Sequence, residues 1–287
     1  MLIFKVASDF AELDDVLRQS EITVENIEPS NFSFLTSLRI ATKIKRQQPD
    51  AILTFREKDA MAAISAKEIQ NSQKALRPKI ILYLLNNTTP KKSINREVAQ
   101  KLDILILETP EQLRNLTSVK NSELIGQKTV LPLPCIGNEF NFEKKLEGPI
   151  TFLYIGPIGE GNELKSAIEK ISAMAEESRP KLIVAGTGKA RVVMPLVKRA
   201  RANKLNVEWL GDDYELNALL PGVSAFIASG EALSLIEKQL LFNGLPIIKA
   251  ECINKENIMC SDDAKKIYNE LYEPKIFCHK LTALLNA

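Results

Sequence analysis

The stretch Ala225 to Ala250 reads A-F-I-A-S-G-E-A-L-S-L-I-E-K-Q-L-L-F-N-G-L-P-I-I-K-A. Ala225 to Ala228 is a short apolar run with the look of a buried strand. Ser229-Gly230 breaks it, and Glu231 stands in the turn. Leu233, Ile236, Leu240 and Leu241 then recur at helical spacing. Gly244 closes that helix, Pro246 prevents its continuation, and Leu245 to Ile248 is a second strand. Strand, acidic turn, helix, glycine stop and strand make one βαβ crossover, which only a parallel sheet uses.

Outward from this unit, strands and helices alternate along the whole chain, predicting a parallel α/β sheet in each half. Towards the N-terminus, strands are predicted at Leu2–Ala7, Ile22–Ile27, Ala51–Phe55, Lys79–Leu85 and Asp103–Leu107. Helices are predicted between them: one capped by Asp9 with Glu12 as capping-box partner, then Asn31–Arg46 and Lys58–Ile69. Thr109-Pro110-Glu111 opens another, with a cap and an N1 proline. Glu143 to Pro149, E-K-K-L-E-G-P, is polar and ends in Gly-Pro, the composition of a linker. Beyond it, strands are expected at Ile150–Ile155, Lys181–Ala185 and Val207–Leu210, and helices at Asn162–Glu177, Arg191–Asn203 and Tyr214–Leu219. With 287 residues, the chain is long enough for two domains, placed at 1–145 and 146–287.

The Glu231 stretch resembles the donor-site signature of the large retaining family of nucleotide-sugar glycosyltransferases with the GT-B architecture. That signature has a serine, a glutamate shortly after it, seven residues, a second glutamate, and Gly-x-Pro about five residues on. Ser229, Glu231, Gly244 and Pro246 match it. Gln239 stands at the second glutamate's place; Glu237, two residues earlier, lies about 200° round the helix from it. Tyr154-Ile155-Gly156, Val184-Ala185-Gly186-x-Gly188, Trp209-Leu210-Gly211 and Thr129 to Phe140 occur in the family's order.

The resemblance implies two Rossmann-like domains, the second holding a nucleotide-diphosphate sugar. Glu231 is the implied catalytic residue, accepting from sugar hydroxyls. The amides of Leu233, Ser234 and Leu235, at a helix opening, suit a diphosphate. Gln239 would meet a ribose hydroxyl. Gly156, Gly159, Gly161, Gly186, Gly188 and Gly211 would let the donor approach the backbone. No metal and no cofactor beyond the donor are implied. The acceptor would be a glycan or a lipid-linked sugar, as in polysaccharide biosynthesis.

The chain departs from the family in its cations: Pro157 and Glu160 stand where an arginine and a lysine hold the donor diphosphate. Each charge-assisted hydrogen bond is worth roughly 1.5–3 kcal/mol. Lys165, Lys189 or Arg191 would have to compensate. The family's histidine-containing strand ends read Phe55-Arg56 and Leu85-Asn86 here, and Arg56, Asn86 and Asn87 sit at strand C-termini, where open α/β sheets bind ligands. A second reading therefore stands beside the first: a GT-B homologue without catalysis, serving as binding or scaffolding partner of a related glycosyltransferase.

Composition narrows the remaining classes. The net charge is +2, against nucleic acid as a partner. No stretch is long and apolar enough to span a membrane, and the N-terminus lacks a signal-peptide pattern. Cys135, Cys252, Cys260 and Cys278 have no metal-ligand spacing and read as reduced thiols of a cytoplasmic protein. The lone histidine, His279, reads as a surface residue. Gly186-x-Gly188-x-x-Arg191 puts arginine where a dinucleotide fingerprint needs its third glycine, and Ile183 and Ala190 exclude a Walker loop. Leu38 to Arg46 is a basic amphipathic helix, able to lie on the inner face of a membrane or simply to be a solvated face.

Overall fold

The computed structural model describes residues 1–6, 11–29, 33–70, 78–85, 93–137, 139–140, 150–159, 163–212, 214–230, 233–253 and 261–286. The expectations placed on Asp9, Asn86, Asn87, Glu160, Gly161, Glu231, Cys260 and the linker 143–149 lie outside these residues.

The chain forms two compact units, one of Met1–Cys135 with Leu271–Ala287 and one of Ile136–Glu270. The first contains β1 (Leu2–Val6), β2 (Thr23–Asn26), β3 (Ala51–Thr54), β4 (Lys79–Leu84), β5 (Ile104–Leu107) and β6 (Gln127–Val130). All pair in parallel in the order β2-β1-β3-β4-β5-β6. Between them run α1 (Ala11–Gln19), α2 (Ser33–Gln47), α3 (Glu57–Ile69), α4 (Arg96–Lys101) and α5 (Pro110–Leu116). The central strands are continuous apolar runs because helices cover both faces of the sheet; β3 and β5 are buried throughout. Thr109 and Gln112 form the capping box of α5, with Pro110 in its first turn. Strand β6 was not anticipated. Its sequence, Gln-Lys-Thr-Val, is only half-buried along its length, so an edge position leaves it without the apolar run that marks its neighbours.

The second unit contains β7 (Thr151–Ile155), β8 (Lys181–Ala185), β9 (Val207–Gly211), β10 (Ala225–Ile227) and β11 (Ile247–Ile248), also parallel, in the order β11-β10-β7-β8-β9. Its helices include α6 (Glu163–Ser172), α7 (Ala190–Ala202), α8 (Leu216–Leu219) and α9 (Leu235–Phe242). Pro195 lies inside α7, past the first turn expected for it. Helix α10 spans Ser261–Leu271 and α11 spans Pro274–Asn286.

Both units are therefore Rossmann-like parallel sheets, as the alternating pattern predicted. Each changes direction of strand order once, at β1/β3 in the first and β7/β10 in the second, and such switch points are where open α/β sheets take ligands.

The units divide differently from the halves drawn on composition. Residues 136–140 pack onto α9: Gln239 Nε2 donates to the Ile136 carbonyl at 2.6 Å, and Asn243 Oδ1 accepts from the Phe140 N–H at 2.7 Å. At Gly137 a Cβ would lie 2.3 Å from the Phe242 ring. Helix α11 packs on α1 of the first unit, with Cys278 Sγ 3.6 Å from the Val16 carbonyl and Lys79 Nζ 3.4 Å from that of Leu284. These contacts join residues distant in sequence, so no local composition marks them.

Candidate functional site

The glycines that end the strands of the second sheet meet along its carboxyl edge. Gly156 follows β7 with φ +146°, Gly186 follows β8 with φ +136°, and Gly211 ends β9 with φ +64°. The Gly156 N–H donates to the Ala185 carbonyl at 3.0 Å, and the Gly186 N–H to that of Gly211 at 2.6 Å. A Cβ on Gly186 would stand 2.0 Å from the Gly156 oxygen, and one on Gly188 2.2 Å from that of Ile158. The loops after β7 and β8 thus lie too close for a side chain at Gly186 or Gly188, which only glycine permits. The amides of Gly156 and Gly186 are used within the protein, so these residues offer close access to the backbone rather than free donors. Gly159 is exposed.

Across the switch point, β10 ends in Ala228-Ser229-Gly230. A Cβ on Gly156 would lie 3.4 Å from the Ser229 Cβ, so the first turn of the unit and the turn before α9 adjoin. The sequence reading opened the helix at Leu233 to Leu235. In the structure Ser234 is the N-cap and Leu235 the first helical residue; Leu233 precedes the cap and is buried.

The residue that holds this corner is Glu237, which is fully buried. Its carboxylate accepts the Ser229 N–H at 2.7 Å and hydroxyl at 3.0 Å, and the Ser234 N–H and hydroxyl, both at 2.7 Å. The Ser234 hydroxyl in turn accepts the Glu237 N–H, completing a capping box. The Ser234 amide assigned to the diphosphate is therefore already bonded to an internal anion. A carboxylate suits this place, where helix amides point outward and the dipole favours negative charge. Sequence reasoning assigned Glu237 no role, although Ser234-x-x-Glu237 before an apolar run is a capping-box signature. It did place Glu237 on a different side of the helix from Gln239. Gln239 is buried and gives its amide N–H to Ile136.

Tyr154 lies beneath the same corner. Its hydroxyl donates to the Pro157 carbonyl at 3.2 Å. Burial, then the negative charges of Glu163 and Glu237, push its pKa up to about 12. Beside the switch point opens a cleft of ≈ 150 Å³, lined by Glu163, Ser166, Ala228, Gly230, Lys249 and Glu251 among others. Two carboxylates, one ammonium and a hydroxyl are groups that bond polyhydroxylated ligands. Lys165, Lys189 and Arg191 are exposed on α6 and at the start of α7.

In the first unit, Arg56 follows β3 and donates through Nε to Asp59 at 2.7 Å. The sequence reading missed a buried group in this unit: Lys5 of β1 meets Asp14 of α1 at 2.5 Å, and Asn26 Nδ2 donates to the same carboxylate at 2.6 Å.

No family model matches the sequence, and no curated protein matches it. Solved structures do. A glycosyltransferase from Rickettsia africae superposes with TM-score 0.70 at 10% identity, covering 99% of this chain and 97% of that one. The lipopolysaccharide outer core galactosyltransferase WaaB, in its apo form, gives TM-score 0.64 at 12% identity over 99% and 98%. HepE of Anabaena, solved in complex with UDP, gives 0.64 at 10% over 99% of each. At such identities the likeness speaks to architecture, which is the GT-B fold.

Proposed function

We propose that this chain is a glycosyltransferase-like protein that takes a nucleotide-diphosphate sugar at the carboxyl edge of β7, β8 and β10. The observation that carries the reading is the contact of the Gly156–Gly186 turn with Ser229 across the switch point. It brings the glycine turns after β7 and β8 and the turn before α9 together at one corner of the sheet. HepE, of the same fold, is described in complexes with UDP and with UDP-glucose. In this reading Glu231 accepts from the sugar hydroxyls, and the Leu235 end of α9 faces the leaving diphosphate. Lys249 brings an ammonium to the cleft wall, partly replacing the cations absent at Pro157 and Glu160. The sugar passes to a glycan or lipid-linked acceptor with retained configuration, at the cytoplasmic face of a membrane.

A second reading is favoured by one observation. Glu237 fills the amide pocket before α9 with a negative charge, and a diphosphate placed there would be repelled. On this reading the chain is a GT-B partner of a related glycosyltransferase and turns over no donor.

The test is thermal shift of the full chain with UDP, GDP and ADP at millimolar concentration. A nucleotide at one hundred times its dissociation constant stabilises by about 2.7 kcal/mol. Stabilisation by one nucleotide, together with donor hydrolysis lost in Glu231→Ala and donor affinity lowered in Lys249→Ala, supports the enzyme. A flat response to all three nucleotides leaves the partner reading.

A further inference from the structure

We propose that the cleft between α6 and the ends of β10 and β11 is a cation-accepting subsite, and that the sugar it takes carries a free amine. This rests on the nucleotide-sugar reading above and names the class of sugar for it.

Three segments of the second unit converge on the cleft. Glu163 and Ser166, three residues apart, share one face at the start of α6. Ala228 and Gly230 follow β10, and Lys249 and Glu251 follow β11. The two strand ends are tied together, the Ala228 N–H donating to the Ile248 carbonyl at 3.0 Å. The Cys252 N–H closes the turn that carries Glu251, donating to the Lys249 carbonyl at 2.9 Å. Gly230, which precedes Glu231 in the sequence, forms part of the wall. At ≈ 150 Å³ the cleft is smaller than the roughly 300–1,000 Å³ of a pocket for a whole small-molecule ligand. It suits one end of a donor, not the complete molecule.

Charge selects which end. The lining sets two carboxylates against one ammonium. Lys249 is exposed, so water and salt screen it. Glu163 is half-buried. Glu237, fully buried, is bonded to Ser229, the neighbour of Gly230. Beyond burial, the charges of Glu163 and Glu237 both raise the pKa of the Tyr154 hydroxyl, so their fields meet at this corner. The least screened charges around the cleft are therefore negative. An ammonium brings three donors and no acceptor. The Glu163 and Glu251 carboxylates and the Ser166 hydroxyl supply oxygen acceptors from both walls. A sugar hydroxyl in the same place would bring one donor and leave the negative charge without an offset.

Calorimetric binding of the full chain to nucleoside-diphosphate sugars tests this, using the nucleotide that stabilises the chain in thermal shift. The glucose compound is compared with its 2-amino, 3-amino and 4-amino analogues and their N-acetylated forms. One amino sugar should bind about tenfold tighter than glucose at pH 6.5, the gain of a charge-assisted hydrogen bond. The acetylated form, which carries no charge, should show no such gain. Amines beside electron-withdrawing carbons, like α-amino groups, titrate near 7.7–8.0, so the preference should be nearly gone at pH 9. Glu163→Gln and Glu251→Gln should each lower the amine-to-hydroxyl preference about threefold. That ratio is read within each variant, so a general loss of stability does not imitate it. The proposal is overturned if no free amine is preferred, if acetylation keeps the gain, or if the preference survives pH 9 or both substitutions. A flat thermal response to UDP, GDP and ADP removes the donor reading and this inference with it. Nucleotide binding without an amine preference overturns this inference alone.

Discussion

The Glu237 carboxylate reaches back to Ser229, accepting its N–H at 2.7 Å and its hydroxyl at 3.0 Å. One buried side chain thus fastens the exit of β10 to the entry of α9.

Removing that anion takes the acceptor from the N–H groups of half-buried Ser229 and exposed Ser234, at about 1–3 kcal/mol each where water cannot replace it. Glu237→Ala should therefore cost about 2–4 kcal/mol, and Glu237→Gln less, since the amide oxygen keeps part of the set. Urea unfolding monitored at Trp209, in the same unit, reads the difference. Equal midpoints for the alanine variant and the parent would show that the corner holds without the carboxylate.

The glycines separate by what surrounds them. Gly186→Ala combines φ +136° with a Cβ 2.0 Å from a carbonyl oxygen and should leave little folded protein. Gly211→Ala has φ +64° but open space for its Cβ, so only the left-handed backbone resists, at about 1–2 kcal/mol. Circular dichroism melting of the two variants should rank them in that order.

Tyr154 gives the protein an alkaline limit. Its folded pKa, about 12 against an ordinary 10.0, means the folded state keeps a proton that the unfolded chain releases. The stability this contributes is complete below pH 10 and is lost as pH climbs towards 12. Tyr83, buried and also raised, acts in the same sense. Tyr154→Phe should flatten but not abolish the fall in urea midpoint between pH 9.5 and 11.5; an unchanged slope would remove Tyr154 as a cause.

The Lys5–Asp14 pair is buried on both sides, with side chains 2% and 9% exposed. Lys5→Met alone strands a carboxylate inside the first unit, at about 3–5 kcal/mol. Lys5→Met with Asp14→Leu should recover much of that loss, since neither charge then remains. Denaturation midpoints of the single and double variants decide the matter.

The fold was legible because its signals are local and repeated. Apolar runs such as Ile80 to Leu84, the Thr109 cap and the Gly244-Pro246 stop each report one element, and their alternation reports the sheet. The site was legible only in part. Gly156, Gly186 and Gly211 lie where the strand ends predicted them. The roles of Ser234 and Gln239 were not readable. Ser234 gives its amide to Glu237, and Gln239 gives its side chain to Ile136, a residue 103 positions away. A capping signature can be read from spacing, but which hydrogen bond consumes an amide depends on tertiary neighbours. Strand β6 escaped for the opposite reason, since an edge strand need not be apolar.

The packing of α11 on α1 has a consequence for synthesis order. Residues 136–270 are one unbroken stretch, complete in sequence before α11 leaves the ribosome. The first unit must wait for its closing helix, although its other strands were made first. The polypeptide departs that unit at Cys135 and rejoins it at Leu271, and the Cys135 N–H meets the Tyr272 carbonyl at 3.1 Å. A few glycines bridging 135 to 271 would make a free-standing first unit, and 136–270 could be produced with no splice at all.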